Sequence, residues 1–144
     1  MSFVPKRLAV LLLSVLIASN CSQEPEAPAP SEAEPEALSR TEFTERIENF
    51  FEYDPLQSGR ASQWRIHLTD LSEGTPVEKA DVKLTVRRAG SSTPVAETTS
   101  KIGKVTGIYV AELTISEPGE YDVEFHIRNE KFDERMPLSG FKVE

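Results

Sequence analysis

Residues 121–128 read YDVEFHIR, and every second residue of this stretch is apolar. Successive side chains of a β-strand point to opposite faces, so this alternation predicts a strand with one buried and one solvated face. The preceding Pro118-Gly119 pair is a turn sequence, which places the start of the strand directly after a turn. The buried face would be formed by Tyr121, Val123, Phe125 and Ile127.

The same two-residue period recurs along the chain after Arg40. It predicts strands near residues 64–69, 82–87 and 109–115, and weaker ones at residues 95–99 and 135–143. One more strand is predicted because four apolar residues share one parity, although residues 41–49 also fit a helical turn; the four are Phe43, Ile47, Phe51 and Tyr53. About seven short strands separated by turn sequences predict an all-β, immunoglobulin-like antiparallel β-sandwich.

Three residues are predicted to belong to the structural core of this sandwich. Trp64 and Leu68 lie on the apolar side of one predicted strand. Tyr121 begins another strand after a Pro-Gly turn, which fits either the tyrosine corner of such folds or a plain core tyrosine.

The N-terminal residues predict export. Lys6 and Arg7 precede an apolar run at residues 8–18, and the small polar pair Ser19-Asn20 follows. An eleven-residue helix covers only about 16 Å, well short of the roughly 30 Å hydrocarbon core of a bilayer. Residues 1–20 are therefore interpreted as a cleaved signal peptide and not as a membrane span.

Cys21 is the only cysteine of the chain and comes directly after this segment. The arrangement resembles the lipobox of bacterial lipoproteins, in which the cysteine is lipidated and becomes the mature N-terminus. Asn20 departs from the Gly, Ala or Ser that usually precedes that cysteine. Two or more acyl chains anchor a protein stably, so the membrane is the predicted partner of a lipidated Cys21.

Residues 21–39 are predicted to be a disordered tether, followed by the β-sandwich domain at residues 40–144. Glutamate, proline and alanine dominate residues 22–38, and no basic residue occurs there. Such a composition cannot bury enough apolar surface to offset its ordering entropy. Its 17 residues would reach roughly 50 Å in an extended conformation.

The charge of the chain argues against nucleic acid as a partner. Without Lys6 and Arg7, the 16 basic residues become 14 against 24 acidic residues, a net charge of −10. Neither nucleic acid nor anionic lipid headgroups attract such a chain, so the acyl anchor would have to attach it.

No catalytic constellation stands out, and the protein is expected not to be an enzyme and to use no cofactor. The serines lack a Gly-x-Ser-x-Gly context, and neither a phosphate-binding glycine loop nor an HExxH sequence is present. A metal site could draw on His67, His126 and Met136. However, an immunoglobulin topology would place the two histidines on opposite sheets with outward side chains, so no shared metal site is expected.

The folded part resembles a known module at several positions. They include Thr44-Glu45-Arg46, Phe50-Phe51-Glu52-Tyr53, Trp64, His67-Leu68-Thr69-Asp70-Leu71, Gly107-Ile108-Tyr109 and Pro118-Gly119-Glu120-Tyr121. Over roughly residues 40–128 the chain is similar to the N-terminal extra domain of periplasmic adaptor (membrane-fusion) lipoproteins of heavy-metal resistance-nodulation-division efflux pumps. The remaining adaptor domains have no counterpart in this sequence, so no functional residue is carried over.

The resemblance implies a non-catalytic binding or interaction module in the bacterial envelope, associated with an efflux pump or another envelope assembly. The alternative is a small periplasmic metal-binding or metal-delivery lipoprotein. Ser22 after the cysteine favours the outer membrane, whereas the adaptor relatives favour the inner membrane. The domain is expected to face the periplasm in either case.

Overall fold

The computed structural model describes residues 35–144, which form ten β-strands and no helix. Within this part of the chain, no helix could therefore cross a bilayer. The predicted signal peptide, Cys21 and most of the tether lie outside the described residues. The strands are β1 (Leu38–Phe43), β2 (Ile47–Tyr53), β3 (Ala61–Asp70), β4 (Thr75–Pro76), β5 (Asp81–Arg88), β6 (Pro94–Thr99), β7 (Lys101–Ile102), β8 (Ile108–Thr114), β9 (Gly119–Arg128) and β10 (Asp133–Val143).

The strands form two antiparallel sheets. The first sheet has the order β1-β2-β3-β8-β7, with β4 paired to β3, and the second has the order β10-β9-β5-β6. From β2 onward, this order matches the A-B-E-D and G-F-C-C′ sheets of an immunoglobulin-type sandwich. The predicted all-β antiparallel sandwich is thus confirmed.

An aromatic cluster fills the space between the sheets. Trp64 from the first sheet is fully buried. Its ring centroid lies 4.6 Å from that of Tyr53 in the same sheet and 6.0 Å from that of Phe125 in the second sheet. Phe51 and Phe141 join the same cluster. Large aromatic side chains contribute much of the burial energy of a core, so this cluster is a main source of stability.

The other two predicted core residues are also buried. Leu68 and Tyr121 each keep only 2% of their surface exposed. The Tyr121 hydroxyl donates a 2.8 Å hydrogen bond to the carbonyl oxygen of Glu117, four residues upstream. This bond across the β8–β9 corner matches the tyrosine corner of immunoglobulin-like sandwiches.

The N-terminal part of the domain differs from the expectation. The single strand predicted through residues 43–53 and its alternative, a helical turn at residues 41–49, are both wrong, because a hairpin forms there instead. The Thr44 hydroxyl accepts hydrogen bonds from the amides of Arg46 (3.2 Å) and Ile47 (3.0 Å), which stabilises a tight turn between β1 and β2. The turn reverses the chain, so Phe43 lies on the outer face while Ile47 is buried.

The strand count also differs from the predicted seven. The additional strands are β1 and the two-residue strands β4 and β7. β1 begins at Leu38, so Leu38 and Ser39, which were assigned to the tether, pair with β2. The two-residue strands β4 and β7 are too short to show an alternation of apolar and polar residues. The strand β1 directly follows the polar tether, and its polar composition does not distinguish it from the tether in the sequence.

An ion pair with a buried carboxylate joins the two sheets at one end of the sandwich. Asp70, at the end of β3, accepts hydrogen bonds from Lys131 in the β9–β10 turn and from the amide (2.8 Å) and hydroxyl (2.6 Å) of Ser72. The Asp70 side chain is only 3% exposed. The hydrogen bonds from Lys131 and then Ser72 hold the pKa of the Asp70 carboxyl well below its usual range.

The lowered pKa of Asp70 predicts a pH-dependent contribution to stability. A carboxyl group with a depressed pKa in the folded state stabilises the fold above its unfolded-state pKa of about 4, and this contribution is lost as pH falls below that value. We expect Asp70→Asn to lower the urea midpoint at neutral pH, and the difference from the unaltered protein to shrink below about pH 4. Urea titrations followed by circular dichroism at several pH values measure this difference.

Asp81→Asn is the matched control for this prediction. The Asp81 carboxylate is 77% exposed and lies 3.9 Å from Arg128, so its loss should leave the midpoint nearly unchanged. A difference between Asp70→Asn and the unaltered protein that stays constant across the acid range would contradict the proposed role of the Asp70 charge.

Candidate interaction surface

The outer face of the second sheet carries a network of paired charges. Its close pairs are Lys83–Glu97 (2.9 Å), Arg135–Glu124 (3.0 Å), His126–Asp133 (2.7 Å) and Arg87–Glu124 (3.8 Å). The hydrogen bond from Lys83 lowers the pKa of Glu97, and that from His126 lowers the pKa of Asp133. Cross-strand pairs of opposite charge are typical of a solvated sheet face.

The outer face of the first sheet has a different chemistry. Phe50 of β2, His67 of β3 and Ile108 of β8 lie directly opposite one another and form one row across three strands. Val110 follows in the next row, and all four residues are partly exposed. The rings of Phe50 and His67 meet edge to face with their centroids 5.2 Å apart. Apolar side chains therefore occupy the centre of a face that an antiparallel sandwich normally gives to polar residues.

Phe43 extends this surface to the edge strand. It pairs with Glu48 in the β1–β2 hairpin, so it shares the outward side with Phe50, and it is 61% exposed. We refer to the surface formed by Phe43, Phe50, His67, Ile108 and Val110 as the apolar face.

His67 is the one titratable residue at the centre of the apolar face. Its side chain is 35% exposed, but its Nε2 atom is covered and has no hydrogen-bond partner in the described residues. The Oε2 atom of Glu52 is 3.9 Å away, which is too long for a hydrogen bond. A buried polar atom without a partner costs stability, so packing of the His67 ring against Phe50 must hold it in place.

Charged residues surround the apolar face. Arg65 and Glu52 lie directly across from each other on β3 and β2, with 3.7 Å between the Arg65 Nε and Glu52 Oε2 atoms. Lys101 of β7 pairs with Val110 at the other side of the sheet. An apolar centre with a polar, solvent-accessible rim is the usual anatomy of a protein–protein interface.

The residues considered for a metal site do not converge. His67 lies in the first sheet and His126 in the second, and both are on outer faces. Met136 is buried between the sheets, where its sulfur lies 3.7 Å from the Asn49 side-chain nitrogen. Among residues 35–144, no three or more His, Cys, Asp or Glu side chains are grouped so that they could hold a metal ion.

Sequence reasoning missed most of the apolar face. His67 was considered as a metal ligand and placed on an outer face, whereas Phe43 was assigned to the buried side of its strand. Phe50 and Ile108 appeared only within the segments of the family resemblance. A signal was nevertheless present, because Phe50-Phe51 and residues 108–111 interrupt the strict alternation with consecutive apolar residues. In a two-layer sandwich only one member of each such pair can face the core, so the other must lie outside.

The fold defines a small all-β sandwich domain of the immunoglobulin-like type. A family model described as YtkA-like matches residues 45–126, which is more than half of the chain. The protein therefore belongs to the YtkA-like family. The resemblance to periplasmic adaptor proteins is not confirmed by this match.

Comparison with individual proteins adds little to the family match. No curated protein matches the chain. Among solved structures, the chain is similar to the ZirS C-terminal domain, with 16% sequence identity and a TM-score of 0.42. That similarity covers 97% of this chain and 86% of the other.

Proposed function

We propose that the protein is a lipid-anchored envelope lipoprotein whose YtkA-like domain is a non-catalytic interaction module. Its apolar face binds a partner protein that belongs to an efflux or other envelope assembly. The observation that supports this proposal is the contrast between the outer faces of the two sheets. The outer face of the second sheet carries a network of paired charges, whereas that of the first sheet has Phe50, Ile108 and Val110 at its centre.

The composition of the apolar face favours a protein as its ligand. The apolar face has a half-buried aromatic ring, aliphatic side chains and a charged rim. Such a surface fits another folded protein better than it fits a small molecule, because small-molecule sites are concave. Aromatic residues are enriched among the side chains that dominate binding energy at interfaces, so Phe43 and Phe50 are the expected anchors.

The sequence supports the proposed location. The basic start, the short apolar run and Cys21 fit export followed by lipidation, and the acidic tether would hold the domain away from the membrane surface. A domain attached to a membrane encounters partners in the same membrane at a high effective concentration, so even a modest apolar surface can bind them productively.

Photocrosslinking in intact envelopes tests this proposal. A photoreactive amino acid in place of Val110 should form adducts with another envelope protein, because Val110 lies on the apolar face beside Arg65 and Lys101. The matched control replaces Thr99, an exposed residue that pairs with Lys83 at the edge of the second sheet. We expect adducts from position 110 to be clearly more abundant than adducts from position 99, because only position 110 lies on the proposed interface.

Two results would contradict the proposal. Equal yields of the same adduct from both positions would mean that the crosslinks report crowding and not a specific interface. Adducts that contain only copies of this chain would mean that the apolar face does not bind a different protein. Mass spectrometry of the crosslinked species distinguishes these outcomes.

A further inference from the structure

Within residues 35–144, no strand pairs with the outer edge of β1, which ends the first sheet. β1 spans six residues and pairs regularly with β2 over its whole length, without a proline or a bulge. The other edges are blunted: β7 has two residues, β6 begins at Pro94 with a register shift, and β10 contains Pro137 and an irregularity between Leu138 and Phe141. Natural proteins usually block edge strands in these ways or with inward-pointing charges. Arg40 and Glu42 lie on the inner side of β1, but their charges pair with each other, so the regular backbone of β1 remains a template for pairing.

The hairpin geometry shows which backbone groups of β1 face this edge. The Thr44 amide donates to the Ile47 carbonyl (2.9 Å), so residues 44 and 47 form a hydrogen-bonded pair. Such pairs alternate along an antiparallel ladder, so Arg40 and Glu42 direct their main-chain groups toward β2. The main-chain N–H and C=O groups of Ser39, Thr41 and Phe43 therefore point to the open edge.

We propose that β1 pairs antiparallel with β1 of a second copy of this chain, with Thr41 directly opposite Thr41 of that copy. A two-fold symmetric pair that keeps the inner and outer faces aligned must be centred on a residue, and edge-facing groups then lie opposite edge-facing groups. A centre at Thr41 aligns five residues of β1 with five of the second copy and includes all three edge-facing residues, whereas a centre at Ser39 aligns three residues and a centre at Phe43 aligns one. Centres at Arg40 or Glu42 include only two of the edge-facing residues and would also oppose like charges, which destabilises a cross-strand pair.

Side-chain chemistry favours the same register. With Thr41 at the centre, Arg40 lies opposite Glu42 of the second copy, and Glu42 lies opposite Arg40 of the second copy. Within one chain these two side chains already meet, with the Arg40 Nη2 atom 2.5 Å from the Glu42 Oε1 atom. In the dimer, each Arg40 would therefore lie between Glu42 of its own chain and Glu42 of the second copy, so that every neighbouring charge is of opposite sign.

The exposed ring of Phe43 also gains a neighbour in this arrangement. Phe43 falls opposite Ser39 of the second copy, whose small side chain leaves room for the ring to cover the junction. The row of Ile108, His67 and Phe50 ends at Thr41 in one chain, because Thr41 pairs with Phe50. Pairing at Thr41 would continue this row into the same row of the second copy and join the two apolar faces.

A charge-reversal experiment on the full chain in mild detergent tests the proposed dimer. Arg40→Glu gives two acidic side chains on β1, and Glu42→Arg gives two basic ones, so each variant should repel its own copy. An equimolar mixture of R40E and E42R should dimerise, because each position 40 then lies opposite an oppositely charged position 42. Sedimentation should show the unaltered protein moving from one chain to two across a roughly hundredfold concentration range.

The design separates loss of pairing from loss of folding. Arg40 also bonds to the Ser139 carbonyl (2.9 Å) and lies over the Phe141 ring, so R40E weakens the fold, whereas E42R keeps these contacts. Arg135→Glu, on the outer face of the second sheet, is the control that should leave dimerisation unchanged. The inference shares Phe43 with the proposed partner surface, but the crosslinks from Val110 on β8 and the sedimentation of the β1 variants can fail separately. It is overturned if the unaltered chain sediments as one chain throughout, if the single variants still dimerise, or if their mixture does not.

Discussion

Replacing Trp64 with alanine is expected to lower the free energy of unfolding by about 3–5 kcal/mol. The indole is fully buried and stacks against Tyr53 and Phe51, with ring centroids 4.6 and 5.7 Å away. Truncation would remove these contacts and the contact with Phe125 of the second sheet, and it would leave a cavity between the sheets. The sheets carry aromatic rings on both sides of that cavity and cannot collapse into it without moving the backbone.

Trp64→Phe is the matched control for this prediction. The indole Nε1 atom is buried and makes no hydrogen bond in the described part of the chain, so phenylalanine removes an unpaired donor while keeping much of the ring. The loss of unfolding free energy should therefore be smaller for W64F than for W64A. Because Trp64 is the only tryptophan, urea unfolding must be followed by circular dichroism and not by intrinsic tryptophan fluorescence. A W64A variant within about 1 kcal/mol of the unaltered protein would show that the aromatic cluster is not the main stabilising contact.

Gly107→Ala is the second substitution for which we expect a large loss of stability. Gly107 has a φ angle of 80°, and a Cβ atom there would lie 2.5 Å from Cβ and 3.2 Å from Cα of Pro76. The Gly107 carbonyl also accepts a 3.0 Å hydrogen bond from the Leu68 amide, so the loop cannot move away without breaking it. Steric overlap should therefore add to the backbone cost of about 1–2 kcal/mol for a left-handed alanine.

Gly90→Ala isolates the backbone contribution. Gly90 has a nearly identical φ angle of 78°, but no atom lies within 4 Å of the added methyl group. Urea midpoints of the two variants should therefore differ, with G107A costing at least about 1 kcal/mol more than G90A, the usual cost of overpacking. Equal losses would mean that the Pro76 contact relaxes at no cost.

Strict alternation made most of the sandwich predictable. Apolar and polar residues alternate in the sequence around Trp64 in β3, Leu84 in β5 and Phe125 in β9, and these three residues are buried as the pattern indicates. Thr85 of β5 departs from the pattern, because it is buried although it lies between Leu84 and Val86. In these strands one face must be apolar because the opposite sheet covers it, so local sequence and tertiary packing agree.

The hairpin at the N-terminal end of the domain was not predictable from the parity of its apolar residues. Phe43 and Ile47 are four residues apart and would share a face in one continuous strand. The turn at Thr44 reverses the chain between them, so the two side chains lie on opposite faces. The turn is stabilised by hydrogen bonds to the Thr44 hydroxyl. Threonine makes such local hydrogen bonds in many kinds of loop, so its presence in the sequence does not predict this turn.

The candidate site was less predictable than the fold. An apolar residue such as Ile108 has the same sequence signal whether it faces the core or the outside, and only the register against His67 shows that it faces outward. Register depends on pairing between distant segments, which a single sequence does not contain.

The ion pair between Asp70 and Lys131 has a mechanical consequence. It connects the end of β3 in one sheet to the β9–β10 turn in the other, so sliding of the two layers past each other would have to separate the two charges. The Asp70 carboxylate is almost entirely shielded from solvent, whereas the Lys131 side chain is 42% exposed, so dissolved salt screens this attraction in part and less than it screens pairs with two exposed members. The sandwich should therefore resist shear at this end, with a resistance that falls only partly as salt is added.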